Sequence, residues 1–178
     1  MDLQSTLKDG RALNISHARP QDAAAIVAYV DRASGESDFL TFGAGEFGMS
    51  VDDEVTFIEA LDGGRFDFML TGVVDGAIVS TCTVMRPKRP RVRHIGVFGI
   101  SVARSHWGLG IGKAMCLAML DVARQVGVTK VNLEVREDNV AAIRLYESVG
   151  FVREGTRSRA LRVGDRYYAD LAMGIWLG

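Results

Sequence analysis

The length, composition and charge of the chain favour a globular protein and disfavour two classes of partner. Its 178 residues are 48% hydrophobic and 24% charged, with a formal net charge of -1; this allows one domain with a buried core but lacks the basic excess of nucleic-acid-binding proteins. No stretch reaches the about 20 apolar residues of a membrane span, and the first ten residues carry no apolar run. We therefore expect a single cytoplasmic domain over residues 1–178 with no nucleic-acid or membrane partner.

The first half of the chain predicts one strand, two helices and a β-hairpin, from hydrophobic periodicity and turn residues. In chain order these are a strand at 12–18, a helix at 19–34, a loop at 35–50, a helix that begins at Ser50 and ends at Asp62-Gly63-Gly64, and strands at 66–74 and 77–85 about the turn Asp75-Gly76. Ser50 precedes an acidic turn, which is typical of a helix N-cap.

The second half predicts strands alternating with helices, and then a final hairpin. In chain order these are a turn at 86–93, a strand at 94–102, a helix that ends at Gly127, a strand at 130–137, a helix at 140–148 capped by Asn139, and strands at 151–163 and 166–177. The whole pattern of about seven strands and four helices predicts a mixed α/β sheet whose first half is largely antiparallel. Cys82 and Cys116 have no metal-ligand spacing, so we expect buried thiols and no metal.

Three alternating glycines mark a candidate anion site at 106–115 (HWGLGIGKAM). A strand that runs through such a loop into a helix exposes unpaired backbone N–H groups at the positive end of the helix dipole, which suits a phosphate or pyrophosphate. A nucleotide P-loop requires Ser or Thr after its lysine, whereas Ala114 follows Lys113. A dinucleotide fingerprint places its third glycine one residue later than Gly112. Both of these motifs fit badly.

The segment from the fourth predicted strand to Phe151 resembles the GNAT superfamily of acyl-coenzyme A-dependent N-acetyltransferases. Ile100-Ser101-Val102 matches the end of the family's strand, and Gly108–Gly112 matches its pyrophosphate loop. NVAAIRLYESVGF (139–151) matches its second block. Trp107 departs from the pattern, because the family usually has Arg or Gln there. The resemblance is specific over 94–177, whereas the first 90 residues match only in element order.

The resemblance implies a GNAT-type fold in which the fourth and fifth predicted strands begin parallel and splay apart around acetyl-coenzyme A. The pantetheine arm would pair with the backbone of Ile100 and Val102, and the pyrophosphate would lie on the amides of Leu109–Lys113, within a cofactor-binding half at about 94–151. The residues expected to contact the coenzyme are Ile100, Ser101, Val102, Trp107, Gly108, Leu109, Gly110, Ile111, Gly112, Lys113, Asn139 and Tyr146.

Three residues are candidates for proton transfer. Tyr146 falls on the family's tyrosine and is expected to protonate the departing thiolate, although a packing role in a short helix also explains it. An amine with a pKa near 10 must lose a proton before it attacks. No carboxylate lies between His94 and Val102, so His94 is the first candidate base and Glu134 the second. The alternative interpretation of His94 is a histidine at the end of a strand with no catalytic role.

Acidic residues dominate the segment expected to wall the acceptor site. Residues 35–64 carry eight acidic side chains and no basic one, so this segment either attracts a cationic amine or is a solvated loop. The candidate acceptor-binding residues are Glu36, Asp38, Phe39, Glu46 and Tyr168.

The sequence therefore predicts an N-acetyltransferase that moves an acetyl group from acetyl-coenzyme A to a primary amine, with a small molecule favoured. A protein N-terminal acetyltransferase shares both motifs and stays open, as does a non-catalytic coenzyme A sensor. The resemblance also implies a possible homodimer, because apolar C-terminal strands such as LAMGIWL often pair in this family.

Overall fold

The computed structural model describes residues 2–61 and 66–178. Within them the strands are β1 (Asp2–Thr6), β2 (Ala12–His17), β3 (Phe68–Val74), β4 (Ala77–Met85), β5 (Ile95–Val102), β6 (Lys130–Arg136), β7 (Val152–Val163) and β8 (Arg166–Trp176). The helices are α1 (Ala23–Glu36), α2 (Val51–Ala60), α3 (Ile111–Gln125) and α4 (Val140–Ser148). The predicted helix end at Asp62-Gly63-Gly64 lies outside the described residues.

All the strands join one sheet in the order β1-β2-β3-β4-β5-β6-β8-β7. Every neighbouring pair is antiparallel except β5 and β6, which are parallel. The fourth and fifth predicted strands are these two, so the predicted mixed sheet with one parallel central pair is confirmed.

The sequence reading missed one strand, and the predicted number of about seven becomes eight. β1 pairs with β2 at the edge of the sheet, and its residues are exposed apart from partly buried Ser5. A strand that buries neither face needs no alternation of apolar and polar residues, so periodicity could not find it.

The helices lie on both faces of the sheet. The hydroxyl of Tyr29 in α1 is 2.9 Å from that of Ser101 in β5, whereas the ring of Tyr146 in α4 packs edge-on against Phe98, with centroids 6.3 Å apart. Since side chains alternate along a strand, residues 98 and 101 point to opposite faces. α2 contacts α1 and α3 contacts α4, which gives two helices on each face.

The core is built from regularly spaced apolar positions. One stripe of α3 is buried at Met115, Ala118, Met119, Val122 and Ala123, and the alternating residues Val131, Leu133 and Val135 of β6 are buried as well. Ser50 caps α2, its hydroxyl accepting a hydrogen bond from the Asp53 N–H at 3.1 Å. Both cysteines are free and buried, and burial raises the pKa of the Cys116 thiol to about 12.

Candidate active site

A gap opens in the middle of the sheet where the parallel strands part. β5 and β6 pair only from Ile95–Lys130 to Val97–Asn132, after which β5 continues beside β4 and β6 beside β8. The Ala103 N–H bonds back to β4, at 2.8 Å from the Val79 oxygen. Because backbone groups of successive strand residues point to opposite sides, those of Ile100 and Val102 point into the gap.

The glycine loop leads from the end of β5 to an uncapped helix. After a 3-10 turn at Arg104–His106, Gly108 and Gly110 have φ of 79° and 96°, left-handed values that side chains disfavour. Gly110 is the N-cap of α3, and no side chain of the described residues caps the helix. The first backbone N–H groups of α3 therefore have no intrahelical acceptor. In the described part of the chain, nothing lies within 4 Å of a Cβ built at 108 or 110, so the space beside this end of the helix is open to a ligand.

Position 112 requires glycine for a different physical reason. A Cβ at this position would lie 2.8 Å from Leu145 Cδ2 of α4. The third glycine therefore lets α3 approach α4, which is a packing requirement rather than a requirement of the loop.

Tyr146 lies on α4, behind the gap. Its side chain is 8% exposed, and its ring packs against Phe98 and Phe151. Within the described residues its hydroxyl makes no hydrogen bond. Burial raises the pKa of the phenol, so it stays protonated throughout the neutral range. Asn139 caps α4, its Oδ1 accepting a hydrogen bond from the Ala142 N–H at 3.2 Å.

Two carboxylates and an arginine lie on the α1 face of the sheet, beside the gap. Glu134 of β6 forms an ion pair with Arg157 of β7, and Arg157 Nη2 is also 4.0 Å from Asp170 Oδ2 of β8. Glu134 shares this face with Asn132, at the last paired position before the strands separate. The Oδ1 of Asn132 is buried and has no hydrogen-bond partner in the part of the chain that the structure describes.

Arg136 joins three separate parts of the chain at the end of β6. Its guanidinium carbon lies 4.3 Å from the Phe39 ring centroid and 4.0 Å from that of Tyr168. Its nitrogens bond Asp138 Oδ1 at 2.6 Å and the Asp38 carbonyl at 2.9 Å. Phe39 and Tyr168, both candidate acceptor-binding residues, are thus brought to one cluster. Sequence reasoning missed Arg136 and Arg157; the alternation of β6 placed Arg136 on the face of Glu134, but no sequence signal placed Arg157 there.

Four candidate residues point elsewhere. His94 is exposed and precedes β5, where its carbonyl accepts bonds from the Thr129 and Lys130 N–H groups at 3.0 and 3.2 Å. The strand then separates it from the loop by about 26 Å, at 3.3 Å per residue. Ser101 points to α1 and β4.

The other two are acidic residues of the predicted acceptor segment. Glu36 Oε2 accepts a hydrogen bond from the Arg104 N–H at 2.8 Å. Glu46 Oε2 accepts one from the Gly43 N–H at 2.7 Å. Glu36 therefore holds the backbone that follows β5, whereas Glu46 holds the backbone of its own loop.

The described residues contain neither a metal-binding cluster nor a membrane-spanning helix. No cluster of three or more His, Cys, Asp or Glu side chains there could hold a metal ion. No helix in the same part of the chain is long and apolar enough to cross a membrane.

Comparison with known proteins identifies the family. The Acetyltransferase (GNAT) family model matches residues 36–151. L-amino acid N-acetyltransferase AaaT of Escherichia coli (strain K12) is 35% identical over 104 residues, covering 56% of this chain and 64% of that protein. N-alpha-acetyltransferase RimI of Mycobacterium tuberculosis is 43% identical over 88 residues, 49% of this chain and 54% of that protein. The matches thus span less than two thirds of either relative.

A solved structure extends the similarity to nearly the whole fold. The crystal structure of a GNAT-family acetyltransferase from Streptococcus pneumoniae superposes with a TM-score of 0.89 at 28% identity, covering 93% of this chain and 99% of that chain. Together with the family match, the parted strands and the glycine loop, this establishes that the chain belongs to the GNAT family of acetyltransferases.

Proposed function

We propose that the protein transfers the acetyl group of acetyl-coenzyme A to the primary amine of a small molecule, by direct attack of the amine on the thioester. The observation that carries this proposal is the gap between β5 and β6. It connects three features: the uncapped start of α3 at one end, the unbonded Tyr146 hydroxyl behind it, and the Glu134–Asp170 carboxylates on its open face.

The backbone around the gap supplies the coenzyme-binding groups. The amides of Ile111, Gly112 and Lys113 receive the pyrophosphate at the positive end of the α3 dipole. Ile100 offers its N–H and C=O to the pantetheine amides, and an N–H of β5 also stabilises the oxyanion that forms on the thioester carbonyl. The Val102 N–H is available in the same way, whereas its carbonyl already accepts a hydrogen bond from Trp107.

Tyr146 acts as the general acid. When the C–N bond forms and the C–S bond breaks, the phenol donates its proton to the departing thiolate sulfur. Burial raises the pKa of the phenol, so Tyr146 is still protonated when the thiolate develops. Because an ordinary thiol has a pKa of about 8.5, this transfer is uphill, and the phenolate then regains a proton from solvent.

Glu134 accepts the proton that the amine loses, and Asp170 assists it by attracting the ammonium form. An acceptor ammonium that enters this face competes with Arg157 for the same two carboxylates. His94 is not assigned this role, because it lies at the closed end of the strand pair.

A small acceptor suits the walls of this face. Phe39 and Tyr168 hold Arg136 between their rings, which gives a rigid, partly aromatic boundary. The second candidate acceptor is the N-terminal amine of a protein, which the similarity to RimI favours. The two acceptors would use the same Glu134 and Tyr146.

The test is an assay of coenzyme A thiol release over a panel of amino acids, small amines and N-terminal peptides, with calorimetric binding of acetyl-coenzyme A beside it. We expect release with at least one small amine, and we expect Glu134→Gln to lower kcat for that amine while leaving acetyl-coenzyme A binding unchanged. Glu137→Gln, which lies one residue past β6, is the matched control. Release with peptides alone would favour the protein acceptor, and binding without release would favour a coenzyme A sensor.

A further inference from the structure

Trp107 occupies an unusual place at the entrance to the glycine loop. Its indole N–H donates a hydrogen bond to the Val102 carbonyl, with 2.7 Å between Nε1 and O. Its side chain is 49% exposed, and the Arg104 guanidinium carbon lies 6.0 Å from the ring centroid. The ring of Trp107 is therefore about half exposed to solvent, while its N–H group is bonded to one backbone oxygen.

That oxygen belongs to the last residue of β5. It points into the gap, where β6 has already moved away and offers no N–H group. Between the two residues the chain makes one 3-10 turn, in which the Trp107 N–H bonds the Arg104 carbonyl at 3.2 Å. The indole hydrogen bond therefore links the start of the glycine loop to the end of β5.

Gly108 follows Trp107 immediately, with a φ of 79°. A left-handed glycine leaves the backbone free to adopt several conformations, so a fixed point directly before it limits where the following amides lie. Leu109 is held on the other side of the loop, its carbonyl accepting a hydrogen bond from the Lys8 N–H at 3.2 Å.

We propose that Trp107 is a positioning residue, whose indole N–H holds the Gly108–Gly112 loop against β5 so that the first amides of α3 are arranged for the pyrophosphate before the coenzyme arrives. This inference rests on the proposed function and deepens it. In the resembled motif this loop begins with Arg or Gln. In this chain the indole hydrogen bond of Trp107 holds the loop instead.

The test compares two substitutions at the same position. Trp107→Phe keeps an aromatic ring but removes the donor, and it is expected to raise Kd and KM for acetyl-coenzyme A about 2- to 10-fold, the range of one net hydrogen bond, with kcat nearly unchanged. Trp107→Gln restores a neutral N–H donor at similar reach, so its Kd should lie closer to that of the wild type. Trp176→Phe, at the exposed end of β8, is the control and should change neither constant.

A second ligand distinguishes loop positioning from contact with the pantetheine arm. S-acetylpantetheine carries the thioester and the arm but no pyrophosphate, so Trp107→Phe should leave its affinity unchanged. Equal weakening of both ligands, or equal Kd values of wild type and Trp107→Phe for acetyl-coenzyme A, would overturn the inference while leaving the proposed function intact. Absence of acetyl-coenzyme A binding by the wild type would overturn both.

Discussion

At the scale of single residues, the hydroxyl of Tyr146 is the group whose removal should affect the chemistry most directly. Tyr146→Phe keeps the buried ring against Phe98 and Phe151 but removes the proton donor. We expect kcat to fall about 100-fold, the lower range of general acid catalysis, with Kd for acetyl-coenzyme A nearly unchanged. Because burial raises the phenol pKa, the loss should be constant between about pH 6 and pH 9, as steady-state kinetics across that range would show.

Tyr167→Phe is the matched control, since Tyr167 is 59% exposed on β8 and has no part in the proposed mechanism. It should leave kcat unchanged. A Tyr146→Phe enzyme with wild-type kcat would assign Tyr146 to packing alone, which the sequence had left as the alternative.

At the scale of secondary-structure elements, α2 carries a buried acid that has no hydrogen-bond partner for its Oε1 among residues 2–61 and 66–178. This acid, Glu54, is 2% exposed, and burial raises its pKa from 4.5. The native state therefore binds this proton more tightly than the unfolded state. Stability is lost as the pH rises from about 4.5 through the raised native pKa, because above it the helix must bury an ionised carboxylate.

Glu54→Gln removes that ionisation and keeps the shape of the side chain. We expect the variant to gain free energy of unfolding relative to the wild type as the pH rises through this range, with the smallest difference at the acid end. Urea denaturation at a series of pH values measures this. Glu59→Gln, exposed on the same helix, should show no such trend. The cap between Asp53 and Ser50 is common to all three proteins and cancels from the comparison.

Helices and strands were predictable from sequence wherever one of their faces is buried, because burial of one face makes apolar residues recur at a regular spacing. The stripe on α3 and the alternation of β6 are examples, whereas β1 buries no face and was missed. Alternation also places a side chain on a face without saying which end of the strand is functional. This is why His94 could be predicted to begin this strand and yet lie just before its closed end, away from the gap.

At the scale of the whole molecule, the sheet brings together residues that are far apart in sequence. Phe39, Arg136 and Tyr168 come from the loop after α1, the end of β6 and the start of β8, and no spacing along the chain relates them. The glycine loop, in contrast, is contiguous in sequence, and its place between a strand and a helix could be predicted from sequence. The local part of the site was therefore predictable, whereas the part assembled by strand order was not.

The same topology predicts how the molecule responds to its coenzyme. Beyond Val97 the central strands have no shared hydrogen bonds, so a ligand that bridges them should stabilise the native state. At a concentration of 100 times Kd, a ligand that binds only the native state contributes about 2.7 kcal/mol. For a chain of this length that corresponds to a rise in Tm of about 5–10 °C, which differential scanning fluorimetry with acetyl-coenzyme A would detect.

Two controls make this shift specific to the gap and the loop. ATP also carries phosphates but has no pantetheine arm to bridge β5 and β6, so at the same concentration it should raise Tm much less. Gly110→Ala forces a side chain into the left-handed region at φ of 96° and should reduce the shift caused by acetyl-coenzyme A. An equal rise with ATP would mean that the glycine loop binds phosphates without the help of the parted strands, and the bridging role of the gap would have to be abandoned.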